Sequence, residues 1–145
     1  MADFQQNFLG AVKIIQKCLP ILKKSGGASI VLFSTVAAKV GMPFHTSIAA
    51  SKGALESFAR SLAAEVASNK IRVNVIAPSL SDTSLAENLL STEDKKLAGA
   101  KRHPLQRIGT ADDSAQVVEF LVSDKSSWIT GQVFGVDGGL GSLKL

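Results

Sequence analysis

The chain is 145 residues long, enough for one domain with a real core and hardly enough for two. Apolar residues make up 46% of it and charged residues 19%, which excludes a disordered chain, and no apolar run approaches the ~20 residues of a membrane span. The net charge of +4 includes short basic pairs, Lys23-Lys24, Lys95-Lys96 and Lys101-Arg102, mixed with acids and without interleaved aromatics. It reads as solvated helix faces and ends, not as a nucleic-acid stripe. Cys18 is the only cysteine, which excludes an internal disulfide and a cysteine-cluster metal site. Met1-Ala2-Asp3-Phe4-Gln5-Gln6 has no basic stretch followed by an apolar one, so no signal peptide and a cytoplasmic location are expected.

A first helix is expected to begin at a capping-box pattern, Asp3 with Gln6 three residues on. Phe8, Val12, Ile15 and Leu19 follow at helical spacing, Pro20 is expected to kink the last turns, and Ser25-Gly26-Gly27 ends them. Ser29-Ile30-Val31-Leu32-Phe33 is a nearly continuous apolar run rich in β-branched residues, the pattern of a parallel strand buried on both faces. Next comes a long helix from about Thr46 to Ser68, with Ile48, Leu55, Phe58, Leu62 and Val66 as its apolar stripe. A second buried strand covers Ile71-Arg72-Val73-Asn74-Val75-Ile76 and is closed by Pro78. The segment from Asp82 to about Lys101 reads as short helices with a polar surface. Thr110 and Asp113 open another helix, running to Val122, and a last strand covers Val133-Phe134-Gly135-Val136. Helices alternating with strands imply a layered α/β fold with three parallel strands, the first of them leaving an open edge.

Several segments together resemble the short-chain dehydrogenase/reductase family. Met1 to Gly10 resembles the start of that family's fourth helix, with Asn7 at its catalytic-asparagine position. Ile30-Val31-Leu32-Phe33-Ser34-Thr35 resembles the strand of the catalytic serine, and Ala49-Ala50-Ser51-Lys52-Gly53-Ala54-Leu55 the segment of the catalytic lysine. Ile71 to Pro78 resembles the strand that runs into the nicotinamide-contacting loop, and Ile129-Thr130-Gly131-Gln132 with Val136-Asp137-Gly138-Gly139 the closing strand. The resemblance spans almost the whole chain. It implies the carboxyl-terminal half of a Rossmann-like, doubly wound parallel sheet of about seven strands. Residues 1–145 would then form a single truncated domain without the first strands or the glycine-rich cofactor loop. Met1 is read either as a native start or as an internal methionine exposed by truncation.

The resemblance also implies a chemistry, hydride transfer between NAD or NADP and a carbonyl or alcohol carbon. In the family a tyrosine exchanges a proton with the substrate oxygen, and a lysine four residues later lowers its pKa and holds the nicotinamide ribose. A serine positions the substrate oxygen, and an asparagine supports a relay water. Carried onto this sequence, the asparagine is Asn7, the lysine Lys52, and the serine position is held by Thr35, which keeps the hydroxyl and adds a methyl group. The tyrosine position is Ile48, and the chain contains no tyrosine at all. Isoleucine has no ionisable proton, so the ordinary mechanism loses at least the ~10²–10⁴-fold credited to acid–base catalysis. His45 is a candidate substitute acid, or else a loop or cap residue. Lys52 is either the family lysine or a solvated helix residue. Pro78, Ser81 and Thr83 would face the nicotinamide end, although Ser79 stands where the family has a glycine.

Three functions stay open: a truncated or non-catalytic relative of the family, a homo-oligomeric interaction module, and an oxidoreductase completed by another chain. Family members associate through the first helix and the lysine helix. Ala49, Ala50, Gly53 and Ala54 would allow a partner helix to approach, so a homo-oligomer is expected, with neither nucleic acid nor membrane as partner.

Overall fold

The computed structural model describes residues 2–144; Met1 and Leu145, which the expected single domain and its opening segment include, lie outside the described residues. The chain opens on a continuous helical stretch: α1, Ala2–Phe4, a π-helical segment Gln5–Leu9, and α2, Gly10–Lys24. The expected capping box at Asp3 is not formed. Asp3 already lies inside α1, and its backbone carbonyl accepts a hydrogen bond from Asn7 Nδ2 at 3.1 Å. A cap residue must leave helical φ/ψ, and here the helix begins upstream of it. The helix also continues through Pro20 to Lys24, then stops at Ser25, whose hydroxyl donates to the Leu22 carbonyl at 2.8 Å. Gly26 follows at φ +83°, the left-handed conformation that ends a helix at little cost only in glycine.

Three parallel strands, β1 (Ala28–Phe33), β2 (Ile71–Pro78) and β5 (Val133–Val136), form a sheet in the order β1-β2-β5. Ala28 pairs with Ile71 and Phe33 with Ile76, while Val75 pairs with Val133. The crossover between β1 and β2 is α3, Thr46–Val66. Its final turn tightens into a 3₁₀ segment, Ala67–Asn69, before Lys70 at φ +58°, so the α-helix ends two residues before the expected Ser68. On one face of the sheet Ile71, Val73 and Val75 pack with Ile15 of α2 and with Ala59, Leu62, Ala63 and Val66 of α3. The alternate residues of β2 turn to the other face, where Arg72 reaches the Leu121 carbonyl at the end of α5, Ala111–Val122.

Only β2 is buried on both faces as the apolar runs predict. β1 is half-buried along most of its length, and Phe33 is 49% exposed. Its composition specifies a strand flanked by helices, yet among the described residues β2 is its only partner, so one edge stays open as expected. Between β2 and α5 lie a 3₁₀ segment, Ser84–Leu89, and α4, Glu93–Lys101. They are bracketed by a short parallel pair, β3 (Ser81–Asp82) and β4 (Gly109–Thr110), for which the sequence carries no periodic signal. The capping box at Thr110 and Asp113 is formed in both directions.

Candidate functional site

The carboxyl ends of parallel strands are where an open α/β sheet binds ligands, since each chain leaves the sheet there and frees loop backbone and side chains. Here that edge collects Ser34 and Thr35 after β1, the Pro78–Thr83 loop after β2 and Asp137 after β5. α3 runs alongside it and brings Ile48 and Lys52, four residues apart, onto one helix face one turn from each other.

Lys52 is half-buried, and its Nζ donates to the Phe33 carbonyl at the end of β1, at 2.7 Å. Desolvation draws its pKa below the usual lysine value. It is therefore anchored to the strand that carries the hydroxyl position, not a freely solvated helix residue. Thr35 is half-buried; its Oγ1 accepts from the Ala37 amide at 3.3 Å, capping the 3₁₀ turn Val36–Ala38 that packs on α3. A hydroxyl accepting one bond still has its own proton to donate. Asn7 sits in the π-helical turn, which also packs against α3. A π turn widens the backbone ladder locally and occurs preferentially at functional positions.

Ile48 is half-buried at the start of α3 and contributes no polar atom. His45 is the N-cap residue of α3; its Nδ1 lies 2.7 Å from the Pro43 carbonyl, which accepts the ring proton. The loop after β2 is held by its backbone. The Ser79 amide donates to the Val136 carbonyl at 3.2 Å, and the Gly109 amide to the Leu80 carbonyl at 3.0 Å. Ser79 does not adopt a positive φ, so a side chain is tolerated at this turn. Ser81 is half-buried, with its hydroxyl donating to the Ser79 carbonyl at 3.1 Å, whereas Thr83 is exposed and extended at the head of the 3₁₀ segment.

Two polar pairs at this edge escape sequence reasoning. Buried Ser34 donates its hydroxyl to Glu56 Oε1 at 2.5 Å, and Ser79 Oγ lies 2.8 Å from Nε2 of buried His103. Their partners are 22 and 24 residues apart, and no local spacing links them. Among the described residues no group of His, Cys, Asp and Glu is arranged to hold a metal ion.

A dinucleotide's pyrophosphate requires free amides at a strand–turn–helix junction. None of the three long strands supplies one. β1 runs into Thr35, whose side chain already takes the Ala37 amide, and β2 runs into Pro78. After β5 the Gly139 and Gly141 amides donate to the Asp137 carboxylate, at 2.9 and 3.0 Å. The ends of these three strands thus do not fit the cofactor's phosphates.

Comparison with known proteins bears on the family and the fold. Residues 2–141 match the family model described as enoyl-(acyl carrier protein) reductase. The chain is 44% identical over 134 residues to a tropinone reductase homolog of Arabidopsis thaliana, covering 92% of this chain and 51% of that one. It is 40% identical over 134 residues to the 3-oxoacyl-(acyl-carrier-protein) reductase of Thermotoga maritima, covering 92% and 54%. The solved structure of ElxO with NADP bound superposes with a TM-score of 0.90 at 26% identity, covering 99% of this chain and 60% of that one. The chain spans about half the length of the curated relatives it matches. With the family's segments in order and its fold reproduced, the chain belongs to the short-chain dehydrogenase/reductase family.

Proposed function

We propose that this chain is the carboxyl-terminal half of an NAD(P)-dependent oxidoreductase of the family, and that it does not catalyse hydride transfer alone. The observation that carries the reading is Ile48, one helical turn before an anchored Lys52, in a chain without tyrosine. A bound nicotinamide would supply or accept the hydride. Within this chain Lys52 would hold the ribose, Thr35 would position the substrate oxygen by its hydroxyl, and Asn7 would order a water. No group at position 48 moves the proton that must accompany the hydride. His45 already donates at Nδ1 to the Pro43 carbonyl and stands at the helix cap.

Association is the role left to such a chain. Gly53 faces open space, and Ala50, Ser57, Ser61 and Ala64 are exposed along α3, so a second helix can approach closely. The homo-oligomer proposed here forms through this face and α2, whose Ile14 and Ile21 are 66% and 72% exposed. The open edge of β1 favours a second reading, in which another chain adds strands there and completes a cofactor site.

Calorimetric titration of the folded chain with NADH and then NADPH tests the reading. No heat at millimolar cofactor is the expected result. Saturable micromolar binding would show that the chain or its oligomer rebuilds a phosphate site, and would favour the second reading. If binding is seen, Ile48→Tyr is expected to raise carbonyl-reductase turnover by at least ~100-fold.

A further inference from the structure

Ser79 and His103 meet where α4 approaches the loop after β2, and the family resemblance assigns neither a role. The contact depends on two glycines. A Cβ at Gly99 would lie 3.0 Å from Leu80 Cδ2, so glycine there eases the close approach of α4 to the loop after β2. A Cβ at Gly138, which has φ +58°, would lie 3.3 Å from that of His103. These close approaches bury the ring, leaving it 3% exposed.

The hydrogen bonds set its protonation geometry. His103 Nδ1 lies 2.8 Å from the Gly99 carbonyl, and a carbonyl only accepts, so Nδ1 carries the proton of the neutral ring. Nε2 is then a bare acceptor, and the Ser79 hydroxyl at 2.8 Å donates to it. A serine donates to an imidazole whose other nitrogen is held by a third group, the arrangement that activates a nucleophile. That third group is a carbonyl in the last turn of α4, which fixes the orientation of the ring. Both side chains line a cavity of about 320 Å³ walled by Leu80, Leu105 and Val136, with Arg107 also on its lining. Such a volume admits a small apolar acyl group.

We propose that Ser79 is an activated nucleophile, with His103 as its base, that accepts acyl groups from activated esters and thioesters. Ser79 Oγ attacks the acyl carbon while its proton passes to His103 Nε2. The bond from acyl carbon to the leaving oxygen or sulfur breaks, and Nε2 returns the proton to the leaving group. The products are a Ser79 ester and a free alcohol or thiol, with no oxidant or reductant consumed.

The test treats the full chain with p-nitrophenyl acetate, follows nitrophenolate release and locates acetyl groups by peptide mass spectrometry. One acetyl group on Ser79 is expected. Its rate of formation is expected to fall by at least ~100-fold in His103→Gln, and the ester to vanish in Ser79→Ala. Ser127→Ala, at an exposed position after α5, leaves both unchanged. Circular dichroism establishes that each variant is folded. Acetylation confined to lysines or Cys18 in the folded wild-type chain overturns the proposal whatever the variants do. So does a Ser79 ester formed at the wild-type rate in folded His103→Gln.

Discussion

Asn74 shows how much a single buried polar residue holds together. It is fully buried in the middle of β2; its Nδ2 donates to the Ile129 carbonyl at 2.9 Å, and its Oδ1 accepts from the Gln132 amide at 3.1 Å. One amide therefore satisfies both backbone groups of the turn that feeds β5 into the sheet. Asn74→Ala leaves a donor and an acceptor without partners, at about 2–4 kcal/mol, measurable as a lower urea midpoint with unchanged slope. Alternation marks position 74 as facing away from Val73 and Val75, but the identity of its partners depends on a segment more than fifty residues downstream. Lys52 and Ile48 are the opposite case. Their one-turn relation follows from helical spacing alone, while the Phe33 carbonyl that anchors the lysine emerges only once β1 and α3 are packed.

At the scale of elements, helix starts and strands with strong local chemistry are legible, and those whose ends depend on neighbours are not. The Thr110–Asp113 box is written in four residues and is present in full. The similar pattern at Asp3 and Gln6 fails because the helix already extends through Asp3, and the turn around Asn7 becomes π-helical without any distinguishing composition. Thr110→Ala is expected to cost about 1 kcal/mol through loss of the cap. The same cap carries a pH signature. The Arg107 guanidinium, and then the Thr110 amide and hydroxyl, hold the Asp113 carboxyl far below the usual carboxylate range. A depressed folded-state pKa stabilises fully above the unfolded value of about 3.9 and ceases to do so as pH falls through the folded value. Both partners are solvent-accessible, so the effect is modest. Urea titrations are expected to show a stability difference between wild type and Asp113→Asn that is constant above pH ~5 and narrows at lower pH.

For the whole molecule the question is what covers the surfaces the fold leaves open. Gly53 lies in the middle of α3 with nothing near its missing side chain, where alanine would ordinarily favour a helix by about 1 kcal/mol. If that face meets a second copy, Gly53→Leu separates the helices. The wild-type chain is then expected to sediment as an oligomer at micromolar concentration, and Gly53→Leu as a folded monomer. A wild-type monomer would remove association as this chain's role.

The sequence by itself determined the order of the main helices and strands, the α/β layering, the family segments and the absence of a tyrosine beside Lys52. Each of these rests on residues close together in the chain, where 3.6- and 2-residue periods and cap chemistry act. Only the tertiary structure decided that β1 is half-buried and not buried on both faces, that α4 closes on the loop after β2, and that Ser34 meets Glu56 and Ser79 meets His103. Burial and long-range hydrogen bonds depend on which surfaces pack together. That choice is made by the summed complementarity of distant segments, which no local pattern records.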